Sequence, residues 1–371
     1  MKYTIAIDSF KGSLSSTEAA DAISDGITKA DKNAVIRICP MADGGEGTLE
    51  ALTTKEERIR LLTKSATGKK KFGYLGISKD YAVVEMAQAV GLNSVRIEER
   101  NPELSTTYGV GILIKRAIEL GIHNILIGIG GSGTNDGGAG MMECLGARFF
   151  DRTGKEIKDI RAKDLIDIRS LDFSLVNQKL NDVDITIASD VKNPLLGVNG
   201  ATKVYGPQKG ASKEMVSRLE KGMKHYADVL EKTFGVVKRD YPGAGAGGGI
   251  VYPLLFLNNV KVVSGAKAVI DYQRIDEYIN DSDILITGEG SVDSQSKNGK
   301  TIDVLCNLAQ NKKVPVVIFA GKCENKEETL SEYKCIRSIR TTSEVAINIE
   351  DSKKNAREYL SILAYSEFSK T

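Results

Sequence analysis

Carboxylates, lysines and hydroxyl groups recur beside glycines at several places along the 371-residue chain. The first is Asp8-Ser9-Phe10-Lys11-Gly12-Ser13. An acid, two hydroxyls and an amine set so close together are what phosphoryl transfer asks for: a metal ligand, contacts for a small substrate, and a cation to take up charge on the migrating oxygens. Asp43-Gly44-Gly45-Glu46 adds two acids around a glycine pair, and Asp43 and Glu46 are candidate Mg2+ ligands. Gly128-Ile129-Gly130-Gly131-Ser132-Gly133 runs on into Thr134-Asn135-Asp136. Backbone N–H groups at a helix start attract phosphate, so Gly131, Ser132 and Thr134 are candidate phosphate contacts, and Asp136 suits a metal that bridges phosphates. Ser189-Asp190-Val191-Lys192-Asn193 offers Asp190 as a general base or a metal ligand and Asn193 as a polar substrate contact, with Lys209 soon after as a phosphate partner. Gly288-Glu289-Gly290-Ser291 and Lys300 extend the phosphate-binding set. Arg100 has the fork geometry that grips a carboxylate.

Each segment taken alone also suits a turn, a helix cap or a surface lysine. Motif matching is divided as well. Gly128 to Gly133 fits G-x-G-x-x-G after a strand, with Asp151 further on, which is a dinucleotide fingerprint. Gly243 to Gly248 fits it without a preceding strand, and residues 294–301 miss the P-loop pattern by its first glycine. These matches allow a dehydrogenase, a P-loop enzyme or neither. The Thr134-Asn135-Asp136-Gly137-Gly138 run argues against the dehydrogenase, because a dinucleotide pyrophosphate has no need of Asp136.

The elements that must position these groups alternate. Apolar runs at 3–8, 35–40, 124–129, 185–189, 283–287 and 314–320 read as strands. Helical periodicity marks 17–30, with Ser15 or Ser16 as cap and Glu18 in the first turn, and also 107–120, 213–234, 302–310 and 352–368. A further helix starts at 47–53, and residues 58–85 carry short β-like runs broken by Gly68, Gly73 and Gly76. This alternation predicts an α/β fold with mostly parallel sheets. Most of the chemical segments follow a predicted strand directly, which is where α/β proteins bind ligands.

Bulk properties narrow the class. The length suggests about two domains, and 41% apolar with 27% charged residues supports a packed core. Fifty-one basic against 49 acidic residues, net +2, gives no reason to expect a nucleic-acid or membrane partner. The run Lys69-Lys70-Lys71 reads as a solvated turn. Five cysteines, an odd number without C-x-x-C spacing, point to a reducing, cytoplasmic compartment with no disulfide framework or zinc cluster. The N-terminal apolar run is too short for a signal peptide, and no stretch is long enough for a transmembrane helix. Only His123 and His225 exist, and both read as structural, so acid–base work falls to carboxylates and lysines.

The order of the motifs is more specific than any one of them. DSFKGSLSS at 8–16, ADGGEGT at 42–48, EMAQAVGL at 85–92, RNPELSTTYGVG at 100–111, GIGGSGTNDGGAGM at 128–141, SDVKNPLLG at 189–197, GPQKGA at 206–211 and SDILITGEGSVDSQS at 282–296 together resemble the class I glycerate kinase family, colinearly and over nearly the whole chain. The resemblance implies ATP and Mg2+ and the phosphorylation of D-glycerate, giving 2-phosphoglycerate. Glycerate 3-phosphorylation is the other label such proteins carry, and a non-catalytic homologue that binds an organic acid or a nucleotide is the rival class. It implies two α/β domains: a flavodoxin-like one from residues 1–60 and 285–371, and an inserted restriction-enzyme-like one from 61–284, with the site in the cleft between them. Partners are then the small molecules glycerate and ATP, and a homodimer is compatible. In this scheme Asp190, Lys11 and Asp8 are catalytic. Arg100, Ser9 and Asn193 hold substrate. Gly131, Ser132, Thr134, Gly288, Glu289, Lys209 and Lys300 meet the nucleotide, and Asp43, Glu46 and Asp136 hold the metal. Three departures stand out: Gly133 where the family usually has Ala, Gly247-Gly248-Gly249 in place of a more alanine-containing run, and Ser291 where the family usually has Arg.

Overall fold

The structure, a computed structural model, describes residues 1–292 and 301–369. Among them lie fourteen strands: β1 Lys2–Ile7, β2 Val35–Ile38, β3 Arg58–Lys64, β4 Lys70–Ile77, β5 Ala82–Glu85, β6 Asn124–Gly128, β7 Arg148–Phe150, β8 Glu156–Ile157, β9 Ser170–Asp172, β10 Asp184–Ala188, β11 Val260–Val263, β12 Ile284–Val292, β13 Val316–Cys323 and β14 Ile336–Thr341. The fold is α/β, as the alternating pattern predicts, and its larger sheets are wholly or partly parallel.

The chain divides into two compact units. One holds Met1–Asp43, Glu50–Leu52 and the chain from Ser264 onward; the other holds Gly44–Leu49 and Thr53–Val263. The segments 44–49 and 53–60, expected with the chain ends, therefore belong to the second unit, while the segment 264–284, expected in the inserted domain, packs with the chain ends. Its contacts explain why. Gln273 donates to the carbonyls of Pro40 at 2.7 Å and Ala51 at 3.2 Å. Arg37 stacks over the Tyr278 ring at 4.1 Å, and the Lys2 N–H donates to Asp283 at 2.8 Å. The helices Gly265–Gln273 and Ile275–Asn280 are part of the crossover that lets β12 lie parallel to β1.

In the first unit a five-stranded sheet runs β14-β13-β12-β1-β2, all parallel. β1 has five successive buried residues after Lys2, the pattern of a central strand covered on both faces. The helix Ser16–Ala30 begins in a capping box: Ser15 accepts the Glu18 N–H, and Glu18 accepts the Ser15 N–H at 2.9 Å. Its small residues Ala19, Ala22 and Gly26 let the helix Ala356–Phe368 approach closely. Tyr3 and Phe368 meet edge to face at 5.2 Å, so the two ends of the chain share one core. The single helix expected over 352–368 is two, Ile349–Lys354 and Ala356–Phe368, broken at Asn355.

In the second unit a six-stranded sheet runs β11-β10-β6-β5-β4-β3. β11, β10, β6 and β5 are parallel; β4 and β3 are antiparallel additions, the β-like runs of residues 58–85. A small antiparallel sheet, β8-β7-β9, stands beside it. The helix Lys213–Phe234, capped by Ser212, buries Leu219, Met223, Tyr226 and Leu230. Tyr226 joins Phe149 and Tyr252 in an edge-to-face aromatic core.

Candidate functional site

In the first unit the sheet order reverses between the parallel neighbours β1 and β12: the chain goes from β1 to β2 on one side and from β12 to β13 on the other. Such a switch point opens a crevice beyond the carboxyl ends of the strands. A cavity of about 620 Å3 lies there. Asp8 to Lys11 enter it from the end of β1, Asp43 from the segment after β2, Glu289 to Ser291 from β12, and Gly321 and Lys322 from β13. Residues between Thr342 and Ala356 form a further wall.

The Asp8 carboxylate is held on both sides. The Ser9 N–H donates to it at 2.6 Å and the Thr301 hydroxyl at 3.1 Å. Burial, with the neighbouring Asp43 charge, nevertheless pushes Asp8 above the ordinary aspartate range. The Lys11 ammonium lies 3.2 Å from Asp43, and the charge of Asp43, followed by those of Asp8 and Glu289, holds it above its usual pKa. Lys11 is 82% exposed. Such an exposed ion pair adds little stability, so Lys11 is poised to exchange Asp43 for another anion. The arrangement is a set of hard oxygen donors beside an exposed cation.

Gly288 serves this region sterically. A side chain there would run into the Phe319 carbonyl where β12 and β13 pass. Its own carbonyl accepts the Asp8 N–H at 3.0 Å. Gly288 thus shapes the crevice, while Glu289 lines it.

The candidates in the second unit form a different arrangement. Around the expected phosphate contacts Gly131, Ser132 and Thr134, the flanking backbone N–H groups are committed. The N–H of Gly130 donates to the Gly44 carbonyl at 3.0 Å, that of Gly133 to Val90 at 2.8 Å, and that of Asn135 to the Ser105 hydroxyl at 2.9 Å. The Gly131 carbonyl accepts from Leu92 at 2.8 Å, and Ser132 bridges to Gly91. The next helix, Ala139–Leu145, starts only after Gly138, so no helix N-terminus backs the glycines. The loop is glycine-rich because backbones meet there: Gly45 lies against Gly130, and Gly44 against Ala188.

Asp136 was expected to hold a metal; the structure makes it an internal brace. It is fully buried and accepts from the Thr107 N–H at 2.7 Å, the Thr107 hydroxyl at 2.8 Å, the Gly140 N–H at 3.1 Å and the Gly138 N–H at 3.3 Å. Burial still pushes its carboxyl up. Lys209, only 3% exposed, donates to the Thr134 carbonyl at 2.7 Å and the Ser132 hydroxyl at 3.0 Å. Burial lowers its pKa to about 7 against the opposing pull of Asp136. Lys209 therefore fastens the glycine loop instead of facing solvent.

Arg100 commits donors to the carbonyls of Val95 and Gln208, each at 3.3 Å. Asn193 donates to the Asn199 carbonyl at 2.7 Å and accepts from the Tyr205 hydroxyl at 2.9 Å. Glu46 is exposed and accepts from Asn93 at 2.9 Å. Asp190 is exposed just beyond the end of β10. Lys300 lies outside the described residues.

Three features escaped the sequence reading. Thr301 closes on Asp8, and Lys322 enters the cavity from β13; the Gly321-Lys322 pair directly after an apolar strand was the available signal for the second. Glu85, buried at the end of β5, accepts the N–H groups of Leu49 at 3.0 Å and Gly47 at 3.1 Å and so caps the helix Thr48–Leu52. Burial raises its pKa.

Residues 3–368 match the model of the glycerate kinase family. The chain is 39% identical to the glycerate kinase of Bacillus subtilis strain 168 over 366 residues, 97% of this chain and 95% of the relative. It is 43% identical to the glycerate 2-kinase of Escherichia coli K12 over 326 residues, 86% and 85% of the two chains. A crystal structure of a Salmonella typhimurium LT2 protein assigned as glycerate kinase 2 superposes with a TM-score of 0.87 at 36% identity, covering 100% of this chain and 98% of that one. With a family match across nearly its whole length and relatives of this similarity, the chain belongs to the glycerate kinase family and is a kinase.

Proposed function

We propose that this enzyme transfers the γ-phosphoryl group of ATP to the 2-hydroxyl of D-glycerate, releasing ADP and 2-phosphoglycerate. The observation that carries the reading is the convergence of Lys11, Asp8, Asp43 and Glu289 on one cavity at the carboxyl ends of β1 and β12. The similarity to an Escherichia coli protein called a glycerate 2-kinase supports the choice of hydroxyl. The strand order of the first unit, read from β2 as 2-1-3-4-5, supports the flavodoxin-like description of that unit. The restriction-enzyme-like description of the second unit rests on the resemblance. The odd number of free cysteines fits a cytoplasmic setting.

Mg2+ suits the acids of this cavity. Burial, and after it the like charge of Asp43, raises the Asp8 carboxyl, and a hard cation on these oxygens would relieve that repulsion. Asp8, Asp43 and Glu289 are the residues that would hold it. When bound, it neutralises charge on the β- and γ-phosphate oxygens.

In the transfer, a glycerate oxygen forms a bond to the γ-phosphorus as the bond from that phosphorus to the β–γ bridging oxygen breaks. The hydroxyl proton leaves to a carboxylate base, the role we propose for Asp190. Lys11, released from Asp43, stabilises charge on the transferring oxygens. The protein's work is positioning and electrostatics, which needs neither histidine nor an activated thiol.

The test is ADP release measured with D-glycerate, ATP and Mg2+, with the product identified by phosphorus NMR. Glycerate-dependent ADP and a 2-phosphate resonance are expected. A 3-phosphate resonance would reassign the hydroxyl, and no glycerate-dependent ADP would overturn the reading.

A further inference from the structure

The cavity of the first unit has a second, apolar wall that the chemistry of transfer does not use. Ala346, Ile347 and Ile349 line it. Ile347 is 90% exposed and Ile349 64%. These side chains are held in place by their backbone. The Ile347 N–H donates to the Asp351 carboxylate at 2.9 Å, and Asn348 caps the helix Ile349–Lys354 by accepting the Asp351 N–H at 2.9 Å. The Tyr359 hydroxyl adds a third bond to Asp351 at 2.8 Å. The wall is itself tied down, with Ser352 and Thr342 sharing a hydroxyl bond of 2.7 Å and the Ser13 hydroxyl donating to the Lys353 carbonyl at 2.5 Å. The hydrogen-bonded frame thus presents preorganised aliphatic surface to an otherwise charged cavity.

Size and polarity indicate the occupant. The volume of about 620 Å3 falls within the range that takes ligands of drug size. A three-carbon acid would fill only a small part of it and would gain nothing from the isoleucines. A nucleoside triphosphate has both required ends, a polyanion for Lys11 and Lys322 and a flat, largely apolar base. We infer that Ala346, Ile347 and Ile349 form the platform on which the base of the donor nucleotide rests, with its phosphates directed to the strand ends that carry Lys11 and Lys322. The inference rests on the kinase reading above but not on the identity of the acceptor. It places the base of the nucleotide in the first unit.

Calorimetric titration of the full-length protein with Mg-ADP, without glycerate, tests it. Ile347→Ser and Ile349→Ser remove apolar surface at exposed positions without adding charge. Each is expected to raise the ADP Kd about fivefold, the loss that partial exposure of one aliphatic side chain implies. Binding of inorganic tripolyphosphate should change less than twofold in the same variants. The KM for ATP should rise with the ADP Kd, and that for glycerate should not. Unchanged ADP affinity in both variants, or no ADP binding by the unaltered protein, would overturn the platform. ADP binding that depends on Ile347 in a protein that does not phosphorylate glycerate would keep the platform and reject the acceptor.

Discussion

The Thr301 hydroxyl donates to the Asp8 carboxylate at 3.1 Å, joining residues 293 positions apart. Asp8 directly follows the first strand, and Thr301 is the first described residue of the helix after β12. The bond exists because β12 returns to lie parallel beside β1, so both segments open into the same crevice. It orients an acid that burial and Asp43 would otherwise drive toward protonation.

Asp8→Asn separates function from stability. The ionised Asp8 is disfavoured in the fold, so its penalty is complete above the raised folded pKa and absent below the ordinary value of 3.8. The variant should therefore melt at or above the Tm of the unaltered protein at pH 7, by a degree or two, and lose that advantage as the medium is acidified. Its kcat should fall by about 10² or more if the carboxylate carries charge for the transfer. Thermal melts across pH and an ADP-release assay read both. A lower Tm at pH 7 would contradict the penalty.

Lys209→Met addresses the buried amine. Its pKa of about 7 in the fold lies below the ordinary lysine value of 10.5, so between these values the unfolded chain binds the extra proton. Stability should rise with pH through that window. The unaltered protein is expected to gain several degrees of Tm between about pH 7 and 9 relative to Lys209→Met, whose profile lacks this component. Parallel profiles for the two proteins would show that Lys209 titrates normally.

Gly288→Ala should be poorly tolerated. Its added methyl would meet the Phe319 carbonyl between two central strands, and neither backbone can yield without loss of pairing. Overpacking of this kind costs about 1–3 kcal/mol or more, seen as a Tm lowered by roughly 2–4 °C for each kcal/mol. An unchanged melting curve would show that the strands can separate locally.

Asp190→Asn should lower kcat by about 10² or more if Asp190 accepts the hydroxyl proton. A change confined to the KM for glycerate would make it a binding residue instead.

The sequence by itself determined the alternation of elements and which strand ends carry chemistry. Apolar runs such as 3–8 and helical periods such as 213–234 depend on local patterning, and Asp8 and Lys11 stand just past β1 while Glu289 lies in the carboxyl-terminal half of β12. The family was legible in the same way, because motif order survives without any fold. Only the tertiary structure decided which of those groups are available. The 130–135 loop has the composition of a phosphate cradle, yet its Gly130, Gly133 and Asn135 N–H groups bond to the 44, 90 and 105 segments, and Asp136 and Lys209 are turned inward as braces. A glycine chosen for close backbone packing and one chosen for a ligand look identical in sequence, since both simply lack a side chain. Thr301 and the isoleucines at 347 and 349 were hidden for the opposite reason. Their meaning lies in which strand ends and walls they face, and that is settled by long-range β pairing, not by their neighbours in the chain.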